Sequence, residues 1–371
     1  VTVGFWSPLP PARTGVADYS AALLSALRKF GDVEVNGGAC DAALYHCGNN
    51  QLHAEIYRRA LAVPGVVVLH DAVLHHFLLG HLGADEYVDE FVYNYGEWTR
   101  DLARDLWRAR ATSGSDSRYF EYAMLRRIAE TARAVIVHNP AAAAAVRRHA
   151  PAVPIVEIPH LFKCPALPDA AGILRWREAH GIAAHDFVFG VFGFLRESKR
   201  LFSVLAAFER LRRETPCARL LIAGDFVSTD LARATAGLLD TPGIVRVPYL
   251  PDTEFWTAAG AVDCCINLRY PAAGETSGIA VRMMGIGKPV MVTDALEASI
   301  FPLDACVRVP SGPAERDSLW HHMVLLTSVP EAARAIGLRA TAHIRNCHSV
   351  ETVAGLYWKT LCEHCSGSLR A

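Results

Sequence analysis

Short runs of β-branched and aromatic residues alternate with Ala/Leu/Arg-rich stretches along the whole chain, and the rhythm occurs in two successive blocks. In the first, TVGFW (2–6), DAALYHC (41–47), GVVVLH (65–70), AVIVHN (134–139) and PIVEIP (154–159) read as buried strands. Helices are expected among them at 16–29, 53–62, 72–82, 85–110, 117–133 and 140–149. In the second, the strands are FVFGVFG (187–193), RLLIAG (219–224), IVRVPYL (244–250), DCCINL (263–268), PVMVTD (289–294) and ACVRV (305–309). Their helices are expected at 171–180, 199–213, 229–239, 252–260, 277–286 and 315–326. Near-continuous apolar strands joined by helical crossovers form parallel sheets covered on both faces. Two such blocks predict an α/β chain with two doubly wound parallel-sheet domains in tandem. The length agrees, since 371 residues exceed one ordinary core. HLFKCPALPDAAG (160–172), with its two prolines, is the expected linker, and a last helical pattern at about 349–363 packs on either domain.

Composition narrows the function classes. Hydrophobic residues make up 51% and charged ones 20%, which suits a well-buried globule rather than a disordered chain. The formal net charge of −1 gives no global basic field for nucleic acid or an anionic membrane, so any anion is gripped locally. The numbering opens on strand-like VTVGFW, with an initiator methionine expected upstream and no basic-then-apolar leader. No apolar run reaches the length of a bilayer, so a cytoplasmic protein with at most peripheral membrane contact is expected. The ten cysteines are scattered, several of them (Cys40, Cys217, Cys264, Cys265) in or beside apolar runs, which suits reduced thiols. Cys362 and Cys365 form a CxxC with no second ligand pair, and this reads as a helix end rather than a metal site.

In open parallel sheets, ligands bind beyond the carboxyl ends of the strands. After the first strand, SPLPPARTGVADYSAALL brings three prolines and then Thr14 and Gly15 at a helix start. Gly15 either lets an anion approach the backbone, helped by the helix dipole, or is a turn glycine. Neither a GxGxxG fingerprint nor a Walker A loop is present. After the second strand, GNNQLHAE offers Asn49, Asn50 and His53, which suit sugar hydroxyls or an ordinary polar turn and cap. The third strand ends in LHDAVLHH. There His70 either serves a reacting centre or packs in the core while Asp71 caps the next helix.

In the second block, VFGFLRESKRLFSVLAAF places Arg196 and Lys199 where a strand-end loop meets a helix start. Cations there oppose the helix dipole unless something negative is bound, and a phosphate resolves the conflict. In RYPAAGETSGIAVRMMGIGKPV, Ser277 starts a helix, so the amides of Ser277, Gly278 and Ile279 are free to meet an anion. Glu275 beside them makes sense as an acceptor for hydroxyls attached to that phosphate, such as those of a sugar.

The whole chain, from SPLPPARTGVADYS to the last helix, resembles the GT-B glycosyltransferases, in particular the family-four retaining enzymes that use nucleotide-diphosphate sugars. RYPAAGETSGIAVRMMGIGKPV is similar to that family's donor-site motif, GFLRESKR to its diphosphate loop, TGVADYS to its first-strand glycine loop, and LHD to its strand-end histidine. The resemblance implies two Rossmann-like domains facing a cleft. Residues 1–165 would bind the acceptor and 166–349 the donor, with 350–371 packing back on the first domain. It implies that Lys199, with Arg196, neutralises the diphosphate, that Glu275 holds sugar hydroxyls, and that His70 lies near the anomeric centre. Thr14, Gly15, Thr276, Ser277, Gly278 and Ile279 would line the donor, Val247 and Tyr249 would neighbour the base, and Arg282 would take a further part. Asn49, Asn50, His53 and Asp71 would face a glycan or lipid-linked acceptor. No metal or other cofactor is expected. The family's second glutamate, eight residues after the first, is Met283 here, and its usual arginine after the strand-end glycine is Phe194. Rival expectations are an epimerase or phosphorylase of the same architecture, and a degenerate nucleotide-sugar binding module.

Overall fold

The computed structural model describes residues 2–37 and 40–365, and residues 366–371 of the expected terminal segment lie outside the described residues. The chain divides into two compact units, the first comprising Val1–Leu161, Pro271–Thr276 and Cys347–Ala371, the second Phe162–Tyr270 and Ser277–Asn346.

In the first unit the strands are β1 (Val3–Trp6), β2 (Val33–Val35), β3 (Ala42–Cys47), β4 (Val66–Leu69), β5 (Ala134–Val137) and β6 (Ile155–Glu157). They form one parallel sheet in the order β2-β1-β3-β4-β5-β6. Alternate residues of each strand serve opposite faces. Leu44, Val66, Val68, Ala134 and Ile136 pack under Tyr19 and Leu23 of the helix Gly15–Leu27 and under Val353 and Tyr357 of Val350–Cys365. Tyr45, Cys47, Val67, Leu69, Val135 and Val137 pack on the other side against Phe77, Tyr87 and Phe91.

The second unit has β7 (Phe187–Phe192), β8 (Ala218–Ala223), β9 (Ile244–Val247), β10 (Cys264–Asn267), β11 (Val290–Thr293) and β12 (Val307–Val309). They are again parallel, in the order β12-β11-β10-β7-β8-β9. In each sheet the strand order reverses once, between β1 and β3 and between β7 and β10. Open α/β sheets bind their ligands at such reversals, beyond the carboxyl ends of the strands.

Several expected elements differ. The helix expected at 85–110 is two, Ala84–Tyr95 and Arg100–Ala109, because Gly96 at φ +97° turns the chain between them. The helix expected at 117–133 is two short pieces, Arg118–Glu121 and Arg126–Thr131, parted around Met124 at φ +57°. β2 and the helix Pro330–Cys347 have no counterpart in the sequence reading. The helix expected from residue 199 starts at Leu201, with Lys199 in a 3-10 turn and Arg200 left-handed at φ +59° before it. No helix among the described residues is long and apolar enough to cross a membrane.

Candidate functional site

In the first unit the strand-end loops are held by their own polar side chains. Thr14 caps its helix, accepting from the Val16 amide at 3.0 Å, and Gly15 follows as the first helical residue. A Cβ added to Gly15 would meet no atom within 4 Å, so this backbone is open to a ligand. Asn49 is engaged on three sides: its amide donates to Asp71 Oδ2 at 2.8 Å, its Oδ1 accepts from the Phe77 amide at 2.8 Å, and its Nδ2 lies 3.3 Å from His76 Nδ1. Asn50 caps the following turn through the Leu52 amide at 3.0 Å. Asp71 does not cap the next helix, which begins at His75 after Leu74 with no side-chain cap; its carboxylate fastens the β3 exit loop instead.

His46, His70 and His138 continue the inward row of β3, β4 and β5, one strand position after another on the face below Tyr19. The Tyr19 ring lies 5.0 Å from that of His70 and 5.4 Å from that of His138. His46 Nδ1 is 2.9 Å from His70 Nε2, while the His53 Nδ1–H donates to the His46 oxygen at 2.8 Å and the His138 Nδ1–H to the Ile158 oxygen at 2.9 Å. Burial first, then the neighbouring imidazoles, holds His46 and His70 well below the ordinary histidine range. Burial lowers His138 to about 4 against the help of its Ile158 bond. Neutral rings, not cations, therefore stand here at neutral pH.

Pro271–Thr276, expected within the second block, belongs to the first unit. The Ala273 oxygen accepts from the Ala72 amide at 2.8 Å. Asn139 Nδ2 donates to the Gly274 oxygen at 2.9 Å and to Thr276 Oγ1 at 3.0 Å, and Thr276 Oγ1 donates to the His138 oxygen at 3.2 Å. Gly274, at φ +70°, can only be glycine, since a Cβ would fall 2.6 Å from that of Ala72. Glu275 is half-buried on this loop, with Oε2 accepting from the Ala273 amide at 2.7 Å.

In the second unit Lys199 and Arg269 follow β7 and β10, the two strands that flank the reversal. Lys199 is buried and its ammonium donates to the Phe192 oxygen at the end of β7. Burial, and then the charges of Arg269 and Arg196, push its pKa well below the usual lysine value. Arg196 is exposed and makes no ion pair among the described residues. Ser277 caps the helix Gly278–Gly285 through the Ala280 amide at 3.4 Å, leaving the amides of Gly278 and Ile279 at the helix start. Val247 is buried at the end of β9, and its oxygen accepts from the Gly224 amide at 3.1 Å. Tyr249 is exposed, parallel to exposed Phe194 at 6.4 Å between ring centroids. Met283 is sealed in the core, whereas Arg282 is half-buried with its guanidinium 5.7 and 5.8 Å from the Phe255 and Trp256 rings.

Thus Thr14, Gly15, Asn49, Asn50, His53, His70, Asp71, Glu275 and Thr276 lie in the first unit, and Arg196, Lys199, Val247, Tyr249, Ser277, Gly278, Ile279 and Arg282 in the second. Sequence reading missed His46, His138, Asn139 and Arg269. A signal for the histidines was present: LYHC, VVLH and VIVH each place a histidine two residues beyond an inward apolar one.

Two six-stranded parallel sheets in these orders, built in succession from one chain, have the architecture of the GT-B fold. Solved structures share it along nearly the whole length. HepE from Anabaena, determined in complex with UDP-glucose, superposes with a TM-score of 0.67 at 15% identity, over 98% of this chain and 99% of that one. Sucrose-phosphate synthase from Thermosynechococcus elongatus gives 0.67 at 14% identity, over 98% and 99%. WaaG, a glycosyltransferase involved in lipopolysaccharide biosynthesis, gives 0.66 at 14% identity, over 98% and 100%. No protein-family model matches the chain, and neither does any curated protein sequence.

Proposed function

We propose that this chain is a glycosyltransferase that moves a hexose-type sugar from a nucleoside-diphosphate sugar to a hydroxyl of a glycan or lipid-linked acceptor, with retention at the anomeric carbon. The observation that carries the reading is the strand-end cluster of the second unit. Lys199 sits buried beside Arg269 and Arg196 with no carboxylate among the groups that act on it. A buried ammonium with two further cations acting on it is unfavourable, and a bound anion relieves it. A diphosphate supplies that charge, and the amides at the start of Gly278–Gly285 suit it further.

In the transfer, the bond from the anomeric carbon to the diphosphate oxygen breaks and a bond to the acceptor oxygen forms on the same face. The acceptor proton leaves with the departing nucleoside diphosphate. Lys199, Arg196 and the amides meet the charge as it develops, the role a metal ion plays elsewhere, and this is electrostatic preorganisation. Glu275 holds sugar hydroxyls, His70 stands at the sugar, Gly15 lets the backbone approach, Val247 and Tyr249 neighbour the base, and Arg282 takes a further part at the donor. The segment 1–165 with 350–365 serves the acceptor and 166–349 most of the donor. The fold shared with HepE, which is seen with UDP-glucose, supports a UDP-sugar as the first donor to try.

A thermal-shift panel of nucleoside diphosphates and their sugars tests the binding step, because a ligand held only by the folded state raises the melting temperature. Transfer is then followed as release of nucleoside diphosphate with a glycosylated product. Lys199→Ala and Glu275→Ala should each remove most transfer while the far-UV spectrum stays unchanged; wild-type turnover in either refutes the assignment. Tight donor binding without turnover over many acceptors would identify a binding module instead.

A further inference from the structure

The proposed reaction leaves one hydrogen-bond relay unused. His46 is fully buried at the end of β3 and bonded through Nδ1 to Nε2 of His70. Two neutral imidazoles sharing one bond have two arrangements, which differ in where each carries its proton. If His70 donates, His46 must carry its proton on Nε2. That nitrogen is buried with no partner among the described residues, so an N–H there bears the full penalty of an unmade bond. If His46 donates from Nδ1, only a bare lone pair is left at Nε2, and folded proteins tolerate an unfilled acceptor more readily than an orphaned N–H.

The neighbours follow the second arrangement. A carbonyl only accepts, so the contacts of His53 with the His46 oxygen and of His138 with the Ile158 oxygen place a proton on Nδ1 of both rings. Their Nε2 atoms are also buried without partners. Within this row only His70 makes its hydrogen bond through Nε2. Its Nε2 is the acceptor, so its proton is on Nδ1, a nitrogen that makes no hydrogen bond among the described residues and is not sealed in as the others are.

We infer that His46 is a positioning residue that fixes His70 as an imidazole protonated on Nδ1, so that His70 presents its ligand with an uncharged hydrogen-bond donor. The consequence for the proposed transfer, on which this role rests, is chemical. His70 meets a lone pair on a sugar hydroxyl or phosphate oxygen and does not take a proton from the acceptor. With the suppressed basicity of both rings, it remains a donor throughout the neutral range.

Nitrogen-15 NMR of the histidine-labelled full chain at pH 7, with His70 assigned by difference from His70→Gln, reads the tautomer without any need for turnover. The expected spectrum shows His70 protonated on Nδ1 only. His46→Asn, whose amide N–H can stand where Nδ1–H stood, should keep that pattern. His46→Leu should lose it, and His46→Asp, an acceptor, should move the proton to Nε2. In transfer, His46→Leu should lower kcat/KM at least about tenfold, the scale of one hydrogen bond, and His46→Asn should recover most of it. A wild-type His70 protonated on Nε2, or a tautomer unchanged in His46→Leu, overturns the inference even if transfer proceeds. The expected spectrum with no transfer would sink the glycosyltransferase reading and leave the tautomer assignment standing. Should His46→Leu fail to fold, the wild-type and His46→Asn spectra decide.

Discussion

The ammonium of Lys199 is tied to the main-chain oxygen of Phe192, the last residue of β7, inside the second unit. A lysine so buried has its pKa depressed in the folded state. Between that value and the unfolded one near 10.4 the unfolded chain binds more protons, so this group makes stability rise with pH in that window. Lys199→Met removes the buried charge and should raise the melting temperature at pH 7 while abolishing the stabilisation by UDP or a UDP-sugar. A bound anion should raise the Lys199 pKa from its depressed value. Calorimetry in buffers of different ionisation enthalpy should therefore show proton uptake, and affinity should fall as the pH is raised. Binding without proton exchange would contradict this account.

Arg200 forks onto Glu315, with Nε 2.9 and 3.0 Å from its two oxygens, and Glu315 is only 2% exposed. Removing one partner strands a buried carboxylate. Arg200→Ala should therefore cost about 3 kcal/mol in urea unfolding, while a paired Arg200→Ala, Glu315→Met change should recover most of it. A loss below about 1 kcal/mol in the single variant would mean that solvent screens the pair.

Acid should unfold the first unit early. His46, His70 and His138 have folded pKa values below the unfolded 6.5, so the unfolded chain binds more protons once the pH drops under about 6.5. Each ring then takes away about 1.4 kcal/mol per pH unit until its folded pKa is reached. The groups facing them are Tyr19, Tyr357, His53 and His160, and no carboxylate is among the charges that act on the rings. Proton uptake on unfolding at pH 5 should fall by about one in His138→Gln. An unchanged uptake would show that this ring is already charged in the folded state.

Gly15→Ala separates fold from function. With open space around the added methyl and a helical backbone, the change should leave stability equal or raise it by about 0.5 kcal/mol. If phosphate approaches this backbone, donor affinity should drop about tenfold or more. Unaltered affinity would make Gly15 a turn residue.

The strands were legible because both faces of each sheet are covered and nearly every residue is apolar. The gaps have physical causes. β2, only Val33–Val35 at a sheet edge, gives too short a run to stand out. Pro330–Cys347 carries a proline at its first residue and a long Ala/Arg/Leu series, which in retrospect is a helix signature. The break at Gly96 could have been read from the glycine, but nothing in a methionine announces the positive φ of Met124. At the candidate site Lys199, Arg196 and Glu275 stood out in their motifs. The His46–His70 bond did not, because it depends on β3 and β4 lying side by side.

The first unit is assembled from three separate pieces of the chain, one of them only Pro271–Thr276. A gene truncated after codon 161 would encode neither the hexapeptide that Asn139 and His138 bind nor the hydroxyl partner of Tyr19, which Tyr357 supplies at 2.8 Å. A cut there therefore leaves the first unit without two of its three pieces. Producing each unit alone would require rejoining distant stretches of sequence with new linkers.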